Sequence, residues 1–524
     1  MSGIMKSCGT IKVEGRGYIM RKHCLLRKVF ILAAVVILFN PGYGAARQTI
    51  VIGSLGFGYD FAEREYDDEN EEILRANPDE GDRREWGARP ELEFRSLGIH
   101  DTLSLRYAPV LIYDDLADTT DVDHYLYLAG ERLLSKDWTI TLADDFVLSS
   151  DPARYGATFS TPGQTGAAEP TAEPAQPAQA APAPDEITQN LSGQRYWTNN
   201  LDMGTTYTYA QDSDLGLGYG FRVLRNESDE EVLTTSYDEY DRHEFSGLWG
   251  HRFNPVWRSG LNLSYIKGLY DDVEITVPPE PTDPEALPQV LMVSQDLEEY
   301  RAEAGLDYAR SANDIFPFLY RFGGTKYEDL RQDIWAHELS GGWNHAFDAR
   351  TRLMIGAGPS YVEADELDGE WRYNAYLNFT RAYQHAELSA QINKGFEARN
   401  FTGSNDSGLT DLTEARIDFT YSFTPTLSTT LFGLYRNEEI LNPQGEYFLS
   451  ALGGTDPLTV DDIGDVTYTR DSYSLGASVS YGFWRWFVAS VRYAYYDQEG
   501  DLTQDSYNDH RISLLVSASK ELWR

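Results

Sequence analysis

From residue 47 to the end of the chain, apolar and polar residues alternate with a period of two. Such alternation marks β-strands with one apolar face. Leu55, Phe57, Tyr59 and Phe61 alternate with Gly56, Gly58 and Asp60. Leu103, Leu105, Tyr107, Pro109 and Leu111 alternate with Ser104, Arg106 and Ala108. The same rule holds over 138–142, 215–223, 371–379 and 487–495. A β-sandwich would also alternate, burying the apolar face against a second sheet. Three features favour a membrane wall instead. The polar face carries many glycines, serines and charges. Tryptophans gather at strand ends, at Trp138, Trp197, Trp257, Trp343, Trp371 and Trp523, as in the aromatic girdles at two membrane interfaces.

The third feature is the rhythm of the connections. Tight turns are expected at 98–101, 135–137, 210–214, 253–256, 311–314, 347–351, 422–425 and 482–485. Longer, mostly acidic segments lie between them at 64–83, 114–121, 151–190, 225–238, 271–296, 397–410, 437–466 and 497–508. Short turns on one side and long loops on the other are the plan of a transmembrane barrel. The expected fold is all-β: an antiparallel up-and-down β-barrel of about twenty strands (roughly 18–22), each near the ~9–11 residues of a tilted spanning strand. An even count puts both termini on the periplasmic side. The barrel must close, because lipid offers no partner to an open sheet edge.

The first 46 residues read differently. Arg21, Lys22, Arg27 and Lys28 precede an apolar run of 11 residues, VFILAAVVILF, followed by Asn40, Pro41 and Gly42 and the small residues Gly44, Ala45 and Ala46. The run is too short to span a bilayer and has the flanks of a secretory signal peptide. Met20, just ahead of the charged stretch, is a candidate start. Both cysteines, Cys8 and Cys24, fall in this leader, so the exported part has no thiols. Without the leader, 478 residues remain, with 37 Lys and Arg against 82 Asp and Glu, a net charge of −45. That acidity argues against nucleic acid as a partner. The stretch at 151–190 contains EPTAEPAQPAQAAPAP, whose Pro and Ala density suits a disordered external loop within the 47–524 barrel.

Several segments also resemble a family. Lys136-Asp137-Trp138-Thr139-Ile140-Thr141-Leu142 leading into Asp145-Phe146, then Tyr196-Trp197-Thr198-Asn199-Asn200, and the final hairpin SVSYGFWRWFVASVRYAYYDQEGD with NDHRISLLVSASKELW are similar to outer-membrane β-barrel porins associated with exopolysaccharide export gene clusters. The resemblance is one of style across the exported chain. It implies an outer-membrane location and a conduit or accessory role for secreted polysaccharide, and it brings no catalytic residues. It also implies a last strand with an aromatic near its end, read by the barrel-assembly machinery; here Arg524 follows Trp523, a departure from that pattern.

No Gly-x-Ser-x-Gly, His-Glu-x-x-His or phosphate-binding loop is present, so no catalytic residue, metal site or cofactor is assigned, and a barrel-embedded hydrolase ranks last. The acidic runs at 67–72, 228–231 and 461–465 are solvated loop surfaces with oxygen ligands of the type that suits Ca²⁺ or Mg²⁺ beside anionic lipid and lipopolysaccharide. The alternation directs Arg106, Arg222, Arg301, Glu303, Arg372, Glu387, Arg416, Asp418 and Arg492 into the lumen. Two roles are open to them: opposed charges selecting solutes across a pore, or ion pairs bracing the wall. Tyr376 is a candidate stacking step for a sugar ring. The expected function is a passive, cation-preferring, porin-like channel for small solutes; the alternative is an accessory conduit for exopolysaccharide.

Overall fold

The computed structural model describes residues 47–66, 83–116, 118–150, 195–226, 239–270, 273–277, 289–328, 333–364, 369–401, 408–441, 467–500 and 506–523. The leader, the Pro/Ala-rich stretch at 151–190 and the three acidic runs lie outside these residues.

The first strands are β1 (Gln48–Tyr66), β2 (Arg83–Leu97), β3 (Asp101–Asp114), β4 (Thr119–Ser135), β5 (Trp138–Ser149), β6 (Tyr196–Ala210), β7 (Ser213–Asn226), β8 (Tyr240–Arg252) and β9 (Trp257–Tyr270). A small separate hairpin follows, β10 (Val273–Val277) with β11 (Gln289–Val293). The wall resumes with β12 (Leu297–Ala309), β13 (Asp314–Tyr327), β14 (Ile334–Asp348), β15 (Thr351–Ala364), β16 (Glu370–Ala382) and β17 (Ala386–Ala398). It ends with β18 (Leu409–Thr424), β19 (Leu427–Leu441), β20 (Thr467–Phe483), β21 (Phe487–Gly500) and β22 (Tyr507–Trp523).

Every wall strand pairs antiparallel with its neighbours in sequence, β9 pairs with β12 across the small hairpin, and β1 pairs with β22. The result is a closed sheet of 20 strands. Closure over Ile52–Tyr66 against Glu521–Tyr507 leaves no free edge where the first and last strands meet. The ends of β1 and β22 at Gln48 and Trp523 both lie at the short-turn end of the wall.

The alternation sets the two faces. Leu55, Phe57, Leu217, Phe245, Phe318, Ile417 and Leu475 are 42 to 69% exposed on the outer face, while Gly56 and Gly58 beside the first two are buried. Large exposed apolar side chains all round a closed sheet are stable only against hydrocarbon. Two aromatic girdles bound that belt. At the short-turn end lie Trp138, Trp257 against Tyr308, Trp343 against His345, and Trp523. At the long-loop end lie Tyr59 with Trp86, Phe146 with Trp197, Tyr361 with Trp371, and Tyr435 with Tyr473. Four outward Tyr–His pairs belong to the same upper ring: the histidine Nδ1 of His124, His243, His337 and His510 sits 2.9 to 3.0 Å from the hydroxyls of Tyr107, Tyr219, Tyr320 and Tyr493.

Two sequence expectations need correction. The wall strands run from 12 to 19 residues, longer than a bilayer requires. They continue beyond the upper girdle, because water supports a paired strand as well as lipid does. There is also a ninth tight turn, between β16 and β17 at Tyr383-Gln384-His385, closed by Tyr383 N–H donating to Ala386 O at 2.6 Å. It contains none of the usual turn residues.

Candidate functional site

The lumen holds a feature the alternation does not announce. The β16–β17 register runs from Ala382↔Glu387 only to Ala375↔Lys394. By contrast, β15 stays paired with β16 up to Glu370, and β17 with β18 up to Ala398↔Leu409. Above Lys394 the seam is open, and the upper ends of β17, β18 and β19 curl inward over the lumen.

Parity proves the curl. Phe396, Ala398, Leu409 and Leu441 occupy the same alternate positions as outward-facing Ile392, Ile417 and Leu431, and an undistorted wall would turn them to lipid. Instead they pack, with Phe401, against Tyr240, Ile266, Leu297, Tyr327, Ile334, Ala336 and Val362, all at inward positions of β8 to β15. The outer face of the flap therefore lies on the inner face of the opposite wall. Burial of this apolar cluster favours docking by roughly 1.5–3 kcal/mol for each large side chain removed from water.

Polar contacts fix the flap tip. Asn400 donates to Glu299 at 2.7 Å and to Thr325 Oγ1 at 3.2 Å, and accepts from the Tyr327 hydroxyl at 2.9 Å. The Tyr240 hydroxyl donates to Phe401 O at 3.0 Å, and the Tyr270 hydroxyl to Asn400 O. Gly268 provides the space: a Cβ there would lie 2.7 Å from the Phe401 ring. At the crossing point, Phe396 N–H donates to Glu338 Oε1 at 3.1 Å, which Gly395 permits by having no side chain in the way.

Charge stitches the flap on both sides. Arg372, on the inner face of β16, binds Asp411 at 2.8 Å, Glu439 at 2.6 Å and Glu370 at 2.9 Å. Lys394 binds Asp411 at 2.9 Å. Deeper in, Glu438 is fully buried and gathers Arg399, Arg470 (2.8 Å from Nε) and Arg436 (3.1 Å). Removing one partner of a buried ion group costs about 3–5 kcal/mol, because the others keep an uncompensated charge out of water.

The nine charged residues singled out in the sequence all take inward positions. Apart from Arg372, which binds the flap, their pairing is local. Arg106 binds Glu91 at 3.0 Å, Arg301 binds Glu299 at 2.6 Å, Arg321 binds Glu303 at 3.1 Å, and Arg416 binds Asp418 at 2.7 Å. Arg222 lies in the field of Asp202, and Arg492 stacks 5.1 Å from the Phe432 ring. Glu387 sits near the short turn. The partners lie on the same or a nearby strand; among the described residues these pairs do not face one another across the lumen. Tyr376 lies flat on glycines: a Cβ at Gly356 would come within 2.3 Å of its ring, and one at Gly342 within 2.1 Å of its hydroxyl. Gly356→Leu is expected to displace Tyr376 and destabilise the barrel by about 1–3 kcal/mol, read as a lower denaturant midpoint.

Away from the flap, the inner surface of β2 to β8 keeps a cavity of about 580 Å³. Small inward residues keep it open: Ser104, Thr141, Gly204, Gly218, Gly220 and Ser246. No group of His, Cys, Asp and Glu arranged to hold a metal occurs among the described residues.

A closed antiparallel wall, apolar outside and polar inside, ringed by aromatics at two heights, defines a transmembrane β-barrel. No protein-family profile matches the sequence, and no curated protein does. Solved structures similar to it are distant. The siderophore receptor PirA of Acinetobacter baumannii has 9% identity and a TM-score of 0.45, over 90% of this chain and 81% of that one. OprD of Pseudomonas aeruginosa has 11% identity and a TM-score of 0.36, over 91% and 96%. OccK2 (OpdF) of Pseudomonas aeruginosa, solved with glucuronate, has 12% identity and a TM-score of 0.36, over 90% and 98%. Nothing in these comparisons bears on exopolysaccharide export.

Proposed function

We propose that the chain is a passive channel of the outer membrane, with a lumen narrowed by the inward flap and a preference for cations. The observation that carries the reading is the closed 20-strand wall with a polar inner face. Strands about 4.8 Å apart, tilted about 40°, close at 20 strands into a backbone cylinder about 40 Å across. Inward side chains reach about 6 Å from each side and leave a space on the order of 25 Å, too wide for them to fill. A lumen of that size either conducts or is plugged, and the flap with the adjoining cavity makes it a narrowed passage. The cation preference rests on the net charge of −45 after the leader, since the wall pairs described above are internally balanced.

Planar-bilayer recording tests both parts. A salt gradient is expected to give a reversal potential of cation sign at about 0.1 M salt that shrinks toward zero at 1 M, where the Debye length falls from about 10 Å to about 3 Å. Silence from heat-modifiable, folded protein would reject the channel. Anion preference at low salt would reject the selectivity.

A further inference from the structure

We infer that the flap is a gate with two registers: curled inward as described, and zipped into the wall. The inference deepens the channel reading and takes its functional consequence from it. The open seam carries the argument. Continuing the observed β16–β17 register past Ala375↔Lys394 places Asn374 opposite Gly395, Tyr373 opposite Phe396, Arg372 opposite Glu397, Trp371 opposite Ala398 and Glu370 opposite Arg399.

Four of these five unmade pairs are complementary. The outward positions would match Tyr373 with Phe396 and Trp371 with Ala398, apolar against apolar at the level of the upper girdle. The inward positions would match Arg372 with Glu397 and Glu370 with Arg399, opposite charges both times. Cross-strand pairs of this kind are the unit of sheet stabilisation. A permanently curled segment has no use for a matching register on a strand it never meets.

The curled state also leaves the receiving edge ready. Trp371 and Tyr373 are 71% and 62% exposed on the outer face beside the seam, and β16 above Ala375 has no β17 partner. The swing is an exchange of partners in which Asp411 keeps Lys394 and Glu439 is released from Arg372. Arg372 gives up Asp411 and Glu439 for Glu397. Arg399 leaves Glu438 for Glu370, and Glu438 keeps Arg470 and Arg436. Phe396, Ala398 and Leu409 move from the apolar cluster to the lipid side, two environments that an alternating strand suits equally. Two packings of one sequence, each with its own apolar contacts and ion pairs, make a bistable element.

Cysteine pairs distinguish the registers, because the chain after the leader has no native thiols. T325C with N400C joins flap tip to wall and reports the curled state, where the two side chains are 3.2 Å apart. Y373C with F396C reports the zipped state: in the curled state Tyr373 is outside the wall and Phe396 packs on the inner cluster. Both variants are refolded, checked for heat-modifiable migration, oxidised with copper phenanthroline and recorded in planar bilayers before and after reductant. Both pairs are expected to couple. The first should hold conductance low until reduced; the second should hold it several-fold above wild type until reduced. Failure of the second pair to couple while the first couples fully overturns the gate, as does coupling of the second with unchanged conductance. Absence of current from every variant while both pairs couple would strike the channel reading and leave the two registers standing.

Discussion

Single-channel conductance is expected to rise at least about threefold when residues 396–407 are replaced by a short Gly-Ser link. The expectation follows from the geometry of the lumen. The wall alone leaves a space on the order of 25 Å, and the flap tip spans it from β17 to contacts on β8, β9, β12 and β13. Removing the tip deletes Phe396, Phe401 and Asn400 from the passage and leaves the wall pairing intact below Ala375↔Lys394. Wild type and variant recorded in one bilayer system, at the same salt, check the ratio. Equal conductance would show that the flap does not limit the current. Cation preference should persist in the variant, because the charge assigned to it lies elsewhere.

The second large effect concerns closure. Deleting β22 removes the partner of β1 over Ile52–Tyr66 and of β21 over Phe487–Gln498. Two long apolar edges would then face lipid with their backbone N–H and C=O groups unpaired, at several kcal/mol each. The expected result is no folded barrel at all. The deleted chain should lack the compact, heat-modifiable gel band of the intact protein and pellet as aggregate. A band that still shifts on heating would mean that 19 strands can close on themselves. Trp523→Ala is a milder companion: the strand keeps its pairing, so the band should survive.

The wall was legible in the sequence because its rule is local. Each strand faces lipid on one side and water on the other, so every second residue reports its own surroundings, as Leu55, Phe57 and Tyr59 do. Glycine, aspartate and proline marked eight of the tight turns. The ninth escaped because Tyr383-Gln384-His385 is held by its backbone bond and by flanking strands, with no special residue at the bend. The connections at 328–333 and 365–369 escaped because they are short enough to look like strand. The lumen residues were legible as to side, from parity alone, but their partners were not, since Arg372 meets Glu439 across 67 positions.

The flap was illegible for a physical reason. Phe396, Ala398 and Leu409 alternate as lipid-facing residues do, and the alternation does not reveal whether the apolar face meets a bilayer or the far side of the same tube. What separates the two is the truncated β16–β17 ladder, a property of pairing and not of composition. The buried cluster around Glu438 was hidden for a related reason: Glu438, Arg436 and Arg470 read as ordinary inward charges until a third strand brings Arg399 over them.

The surplus length of the strands has its own consequence. A 17-residue strand such as β22 rises about 40 Å along a tilted wall, against a hydrocarbon band of about 25 Å. The excess forms a rigid rim of about 15 Å beyond the apolar belt at the long-loop end. Anything entering the barrel from that end therefore meets a paired, twisted collar before it reaches the level of the apolar belt.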